Sequence, residues 1–310
     1  MKLRIWGALL TLYIVWGSTY LAIRFSVETL PPFLLAAFRF LMAGGLLMAL
    51  MRLRGAAWPT RREWRTTAVV GIFLLLGGNG LVTWAEQHVV SGVAALIIGS
   101  TPLWIVLVDA LRPGGRRPSA LTLLGVLVGF AGIALLIGPG SFQGAAGGVD
   151  LLGAGALALA SLLWAIGSIY GREHHAELPR LPLLATSMEM LAGGAAMLLV
   201  ATLLGEWGRL DLAAVTPRSA WALLYLVLVG SLLGYTSYSW LLGVAPTTLV
   251  STYAYVNPLV AVFLGYLFAD EPLTLRVLLA AGVIVSAVVL INLAQSRRLA
   301  AARTPLKPVE

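Results

Sequence analysis

Ten long apolar stretches run along the chain, each bounded by short polar or basic connections, at 5–25, 33–51, 66–86, 91–111, 119–138, 151–170, 182–204, 220–242, 247–268 and 273–294. Crossing about 30 Å of hydrocarbon takes roughly 20 residues of helix. The pattern therefore predicts ten transmembrane helices. The first stretch is long for the apolar part of a signal peptide. It contains Trp16-Gly17-Ser18-Thr19-Tyr20 and lacks a small-residue cleavage site, so it is expected to be a retained helix.

The same order of segments and punctuation occurs twice. Trp84 and Trp240, Pro102 and Pro258, and Ser91 and Thr247 are pairs separated by one common interval. Upstream, Ala43-Gly44-Gly45 answers Ala192-Gly193-Gly194, and Trp16 answers Trp164, at a slightly shorter interval. Repetition on this scale in an apolar chain points to a transporter built from two homologous halves. The expected organisation is a first five-helix repeat at 1–140, a glycine-rich external linker at 141–150, a second repeat at 151–296 and a basic cytoplasmic tail at 297–310. No lysine follows the glycines of the linker as a phosphate-binding loop would require, so a flexible connection is the better reading.

Composition agrees with burial in a bilayer. Of 310 residues 59% are hydrophobic and only 11% charged, against about 25% charged in a soluble domain. Mean hydropathy is +0.92. There are no cysteines, which removes disulfides, thiolate chemistry and Cys-ligated metal. The net charge of +8 does not indicate nucleic acid, because the basic residues lie between apolar segments. They report orientation instead. With the N-terminus inside, the outer side holds Arg24, Arg209, Arg218 and Arg276, Arg39 lies within a helix, and the remaining sixteen of the 21 lysines and arginines are cytoplasmic. Five helices per half is an odd number, so the second half enters upside down. The fold class expected is an all-α membrane protein of two inverted five-helix repeats with both termini cytoplasmic.

Polar groups inside apolar helices cost at least about 2.5 kcal/mol each on insertion scales when charged. Segment three places Asn79, Thr83 and Glu86 on one helical face. Segment seven carries Glu189, with no basic residue within a turn, and segment two carries Arg39. The repeat aligns Arg39 with Met188, beside Glu189. Two readings stay open. The two residues pair across the bundle and neutralise each other, or Glu189 titrates or binds a solute ammonium while Arg39 holds a carboxylate. Aromatic and hydroxyl groups form the remaining candidate wall: Trp16, Thr19, Trp104, Trp164, Ser168, Tyr235, Tyr238, Ser251, Tyr255 and Asn257. Such clusters at mid-segment suit a cavity for a solute with an apolar body and a polar head.

Pro102 and Pro258 each remove a backbone donor in mid-segment and are read as hinges, with a static kink as the simpler alternative. Small residues recur on segments five and ten, at Gly125, Gly129, Gly132, Gly282 and Ser286. Packing within the bundle accounts for them more simply than a dimer interface. The three histidines, His88, His174 and His175, lie at segment ends or connections, and neither a metal site nor a cofactor is expected. Without converging catalytic groups an enzyme is not expected either.

At these residues the chain resembles the drug/metabolite transporter superfamily, EamA type, over roughly residues 8–294. Trp16-Gly17-Ser18-Thr19 resembles the family's first-helix signature, and Phe38-Arg39-Phe40 its second-helix arginine. Thr101-Pro102 and Asn257-Pro258 resemble turns of its fourth and ninth helices, and Asp270-Glu271-Pro272-Leu273-Thr274 the acidic element before its tenth. Gly78-Asn79-Gly80, Ala85-Glu86, Glu189-Met190-Leu191 and Ser251 through Pro258 look like the YedA-type branch. In the first half Arg116-Arg117-Pro118 stands where the acidic element would be. The resemblance implies ten helices with the fifth and tenth set apart from a central cavity, and export of metabolites, amino acids or drugs across a bacterial inner membrane.

The expected function is a secondary exporter of amino acids or similar amphiphilic solutes, with Glu86 and Glu189 as candidate proton carriers. A multidrug exporter and a proton-independent uniporter are the alternatives. The chain has no Walker A pattern to support direct ATP coupling. The expected partners are a small-molecule solute and membrane lipid, with no nucleic acid, and the monomer is expected with a dimer left open.

Overall fold

A computed structural model describes residues 2–115, 117–138 and 149–303. Most of the expected glycine-rich linker, Arg116 and residues 304–310 lie outside the described residues. So do the side chains of Thr247 and Thr248 and those of 295–303.

Among the described residues every regular element is helical. In chain order the membrane-length elements are α1 (Lys2–Ser26), α2 (Pro32–Leu53), α3 (Arg61–Ala85), α4 (Ser91–Leu111), α5 (Ala120–Ile137), α6 (Leu151–Glu173), α7 (Pro182–Leu203), α8 (Pro217–Val244), α9 (Tyr253–Phe268, preceded by the turn Thr247–Val250) and α10 (Leu275–Arg303). Among the described residues nine are long and apolar enough to cross a membrane. The ninth segment, expected as one span over 247–268, is a single turn followed by a 16-residue helix.

Capping chemistry sets several boundaries. Helix α3 begins at Arg61, ahead of the residue 66 that hydropathy suggests, because Thr60 and Glu63 form a reciprocal capping box. Thr216 accepts from the amide of Ser219 at 3.2 Å and starts α8 at Pro217. Asp150 accepts from the amide of Gly153 at 2.6 Å and fixes the start of α6. Helix α10 continues to Arg303, so the basic segment from residue 297 begins as helix.

Helices pack on their own counterparts. Helix α2 lies against α7, α4 against α9, and α5 against α10. Helix α1 packs on α8 and α9, while α6 packs on α3 and α4. Exchanging the halves maps each contact onto another, so the repeat in the sequence is also a repeat in space. The glycines of α5 serve this packing. A Cβ at Gly125 would overlap Ile291, one at Gly129 would overlap Leu103, and one at Gly132 would overlap Ile284. Gly282 and Ser286 face outward instead. The exterior is apolar, with Leu53, Leu111, Trp221 and Phe263 exposed, as lipid contact requires.

Candidate functional site

Two local departures from α-helix build the interior. The backbone is π-helical over Ile72–Gly80 in α3 and over Leu226–Leu233 in α8. Such widened turns recur at functional sites because they re-aim the side chains that follow. Each is matched by a tryptophan from the other half. The Trp164 ring of α6 lies against Gly78, and the Trp16 ring of α1 lies against Gly234; a Cβ at either glycine would overlap the indole.

Trp16 is the centre of an aromatic cluster. Its ring centroid is 5.2 Å from Tyr235, 5.2 Å from Tyr238 and 5.1 Å from Tyr253, the last at an interplanar angle of 87°. Tyr238 and Tyr253 meet at 5.9 Å, edge to face. These are favourable quadrupole arrangements. The Trp16 Nε1–H donates to the Gly230 carbonyl at 3.2 Å, and Thr19 Oγ1 donates to the Trp16 carbonyl at 2.6 Å. Helices α1, α8 and α9 thus meet around one indole. All four rings remain partly accessible.

Two charges border this cluster. Arg39 is 4% exposed, and its Nε donates to Ser231 Oγ at 3.0 Å. Its guanidinium also sits 4.7 Å from the centroid of Phe40. Glu189 on α7 is half-buried, and Tyr235 and Tyr238 lie within its Coulombic range. No ion pair joins Arg39 and Glu189. The first of the two readings drawn from the sequence is therefore not realised; Arg39 is held by α8 instead. Tyr235 lies within range of both charges.

The remaining residues expected at the site divide. Thr83 spends its hydroxyl on the Asn79 carbonyl at 2.8 Å, within its own helix. Asn79 and Ser168 are half-buried, on α3 and α6 beside Trp164. Trp104 packs edge to face on Phe130 of α5 at 5.1 Å, away from the Trp16 cluster. Trp84 lines a surface groove of about 400 Å³ with Phe33 and Leu159. Asn257 is buried, and its amide bridges helices by donating to the carbonyls of Tyr253 and Tyr13, each at 3.2 Å. Ser251 lies in the interruption ahead of α9, and Tyr255 on its first turn is half-buried.

The two prolines differ. Helix α4 is interrupted at Gly99–Ser100, and Pro102 starts the helix that resumes. Helix α9 runs through Pro258, and its break lies upstream at Ser251–Thr252. The ring of Pro258 packs on Gly99, so the interruption of one half rests against the proline of the other.

Glu86 is fully buried, and neither carboxylate oxygen has a hydrogen-bond partner. Its own carbonyl accepts from Arg24 at 2.8 Å. Close by is Glu271, a residue of the acidic element before α10. Glu271 accepts from the backbone amides of Ser91 at 2.7 Å and Gly92 at 2.9 Å, capping α4 from the connection between α9 and α10. Asp270, at φ 53°, turns the chain so that this is possible. Glu206 does the same for α2, accepting from the Leu34 amide at 2.9 Å. Both partners are far away in sequence, so local pattern holds no trace of them. At the opposite end of α4 Asp109 pairs with Arg112 at 2.8 Å and with Arg172 of α6 at 2.7 Å, and Arg112 pairs with Glu173.

Comparison with known proteins follows the repeat. The model of the EamA-like transporter family matches twice, over residues 5–138 and 151–293. The chain is 40% identical over 293 residues to the inner membrane transporter YedA of Escherichia coli strain K12, covering 94% of this chain and 91% of that protein. It is 26% identical to the chloroplastic WAT1-related protein At3g02690 of Arabidopsis thaliana, covering 93% of this chain and 69% of that one. A solved crystal structure shares the fold at a TM-score of 0.63 and 22% identity, covering 94% and 97% of the two chains.

Proposed function

The chain belongs to the EamA-like transporter family, and from that premise we propose that it is a secondary exporter of amino acids or similar amphiphilic metabolites. As a family member it is a multi-pass transporter of the bacterial inner membrane, with two repeats. In our reading the repeats are inverted, both termini are cytoplasmic and the solute crosses by alternating access. The clustering of basic residues on one side supports this orientation.

One observation carries the solute assignment. Arg39 and Glu189, opposite charges within Coulombic range of the same tyrosine, are not paired with each other. Glu189 has no ion-pair partner among the described residues, and Arg39, which faces Glu86, makes no ion pair with it either; a buried charge without an ion-pair partner is costly. A zwitterion fits both, with its carboxylate on the Arg39 guanidinium and its ammonium on Glu189 and the ring faces of Trp16 and Tyr238. The partly exposed rings suit its apolar body. A cationic drug would satisfy Glu189 and the rings but would meet the charge of Arg39, which favours the zwitterion.

Counterflow in proteoliposomes tests this, with a panel of labelled amino acids and a cationic dye, for the parent and Glu189→Gln at two pH values. Amino acid exchange that Glu189→Gln abolishes or uncouples from pH is expected. Exchange of the dye alone would assign a multidrug exporter, and unchanged exchange in the variant would remove Glu189 from the site.

A further inference from the structure

Two glutamates that cap distant helices lie at one end of the bundle. Glu271 caps α4 from the second half, and Glu206 caps α2 from the second half. Both join the halves at the end where α2 and α4 begin. In the first half the connection after α4 carries Arg117 where the acid would stand. The end closed by glutamates is the outer one in the orientation given above.

The Glu271 contact is tight. A Cβ at Gly265 would overlap its carboxylate, and one at Gly92 would press on it and on Val262. The Ser91 hydroxyl is buried there without a partner. Beside this contact sits the carboxyl group of Glu86, fully buried and without a hydrogen bond on either oxygen. The charged and titratable groups that face it are Glu271 from the connection before α10, Arg24 and Tyr20 from α1, and Arg39 from α2. His88, two residues on, is exposed and stacks on Trp84. Glu86 therefore stands between the solute-side guanidinium and the carboxylate that closes the outer end. An ionised carboxylate enclosed in this way has no hydrogen-bond donor on its oxygens to replace water, and it repels Glu271.

We propose that Glu86 is a proton-binding site that controls the outer gate. With the proton bound, Glu271 stays on the amides of Ser91 and Gly92 and the end is shut. When the proton leaves to water on the outer side, the two carboxylates repel, Glu271 leaves its cap, and α4 separates from the connection between α9 and α10. Because Arg39 faces both Glu86 and the aromatic cluster, a solute carboxylate on Arg39 weakens its hold on the Glu86 charge and links solute and proton.

The inference rests on the alternating-access reading but not on the identity of the solute. The chain has no cysteine, so Gln87→Cys and Thr274→Cys, both at exposed positions, give a clean spin-labelled pair across the gate. Distances are measured by double electron–electron resonance in phosphatidylethanolamine–phosphatidylglycerol liposomes at pH 5 and pH 8, without solute. The expected result is one short-distance population at pH 5 and a second, longer one at pH 8. Glu86→Gln is expected to lose the longer population at pH 8, and Glu271→Gln to show it at both pH values. Identical distributions for the parent at the two pH values would overturn the proposal without need of a variant, as would a pH response that survives Glu86→Gln. Since no solute is added, these failures are separate from failure of the solute assignment, which counterflow reads.

Discussion

The Nε of Arg39 donates to the hydroxyl of Ser231 at 3.0 Å. That bond fixes a buried guanidinium on α8, at the π-helical turn, and leaves Glu189 without an ion-pair partner among the described residues. The bond anchors one edge of the cation; in the proposed function its terminal nitrogens take the solute carboxylate.

Ser231→Ala removes the acceptor and leaves a buried, charged donor unsatisfied. Hydrogen bonds to charged groups contribute about 1.5–3 kcal/mol, so a fall in thermal stability of that order in detergent is expected. Solute affinity is expected to fall with it, because the guanidinium loses its fixed orientation. An unchanged melting temperature would mean that Arg39 is held by other contacts.

Trp16 on Gly234 and Trp164 on Gly78 are equivalent contacts in the two halves. Gly234→Ala and Gly78→Ala should each cost about 1–3 kcal/mol by overpacking, less up to about 1 kcal/mol gained from helix propensity. Both are expected to impair exchange. Gly243→Ala, where a Cβ meets open space, is the control and should be neutral or stabilising. Equal melting temperatures for all three would show that the indoles yield freely.

Glu177 lies outside the spans and gives a pH test with a definite sign. The hydrogen bond from Arg62, at 2.8 Å, and then that from Thr66 hold its carboxyl down at about 2. A carboxyl with a depressed folded-state value stabilises above its unfolded value of about 4.3 and loses that contribution as pH falls through the folded one. The stability difference between the parent and Glu177→Gln should therefore be constant from pH 5 to pH 8 and shrink only below about 4. A difference that changes between pH 5 and pH 8 would contradict this pairing. Its constancy would also exclude Glu177 as the source of any pH response of transport in that range.

Much of the architecture was legible because hydropathy and spacing encode it. The stretches at 33–51, 91–111 and 119–138 match α2, α4 and α5 closely, and the recurrence of Trp16 in Trp164 marked the paired contacts. Boundaries moved where capping outweighed hydropathy, as at Thr60. The π-helical turns left no periodic trace, since a single widened turn does not alter the apolar run around it. Trp104 was expected to line the cavity, but sequence gives a helix position and not the neighbour it faces, and here that neighbour is Phe130. Pro258 was expected to interrupt its helix, yet the chain breaks upstream at Ser251–Thr252. Tyr253 packs directly on Trp16, a contact between helices that spacing along the chain does not show. Glu271 and Glu206 bind amides that are distant in sequence, and only the folded chain brings them together.

In the proposed function Arg39 and Glu189 hold the two ends of a zwitterion. Counterflow with one exchanged amino acid, its carboxamide and its N-acetyl derivative tests it most directly, in the parent, Arg39→Lys and Glu189→Gln. Expected are exchange of the amino acid by the parent, loss of exchange when either end is neutralised, and partial recovery of the N-acetyl derivative by Glu189→Gln alone. Equal exchange of all three solutes by the parent would contradict it.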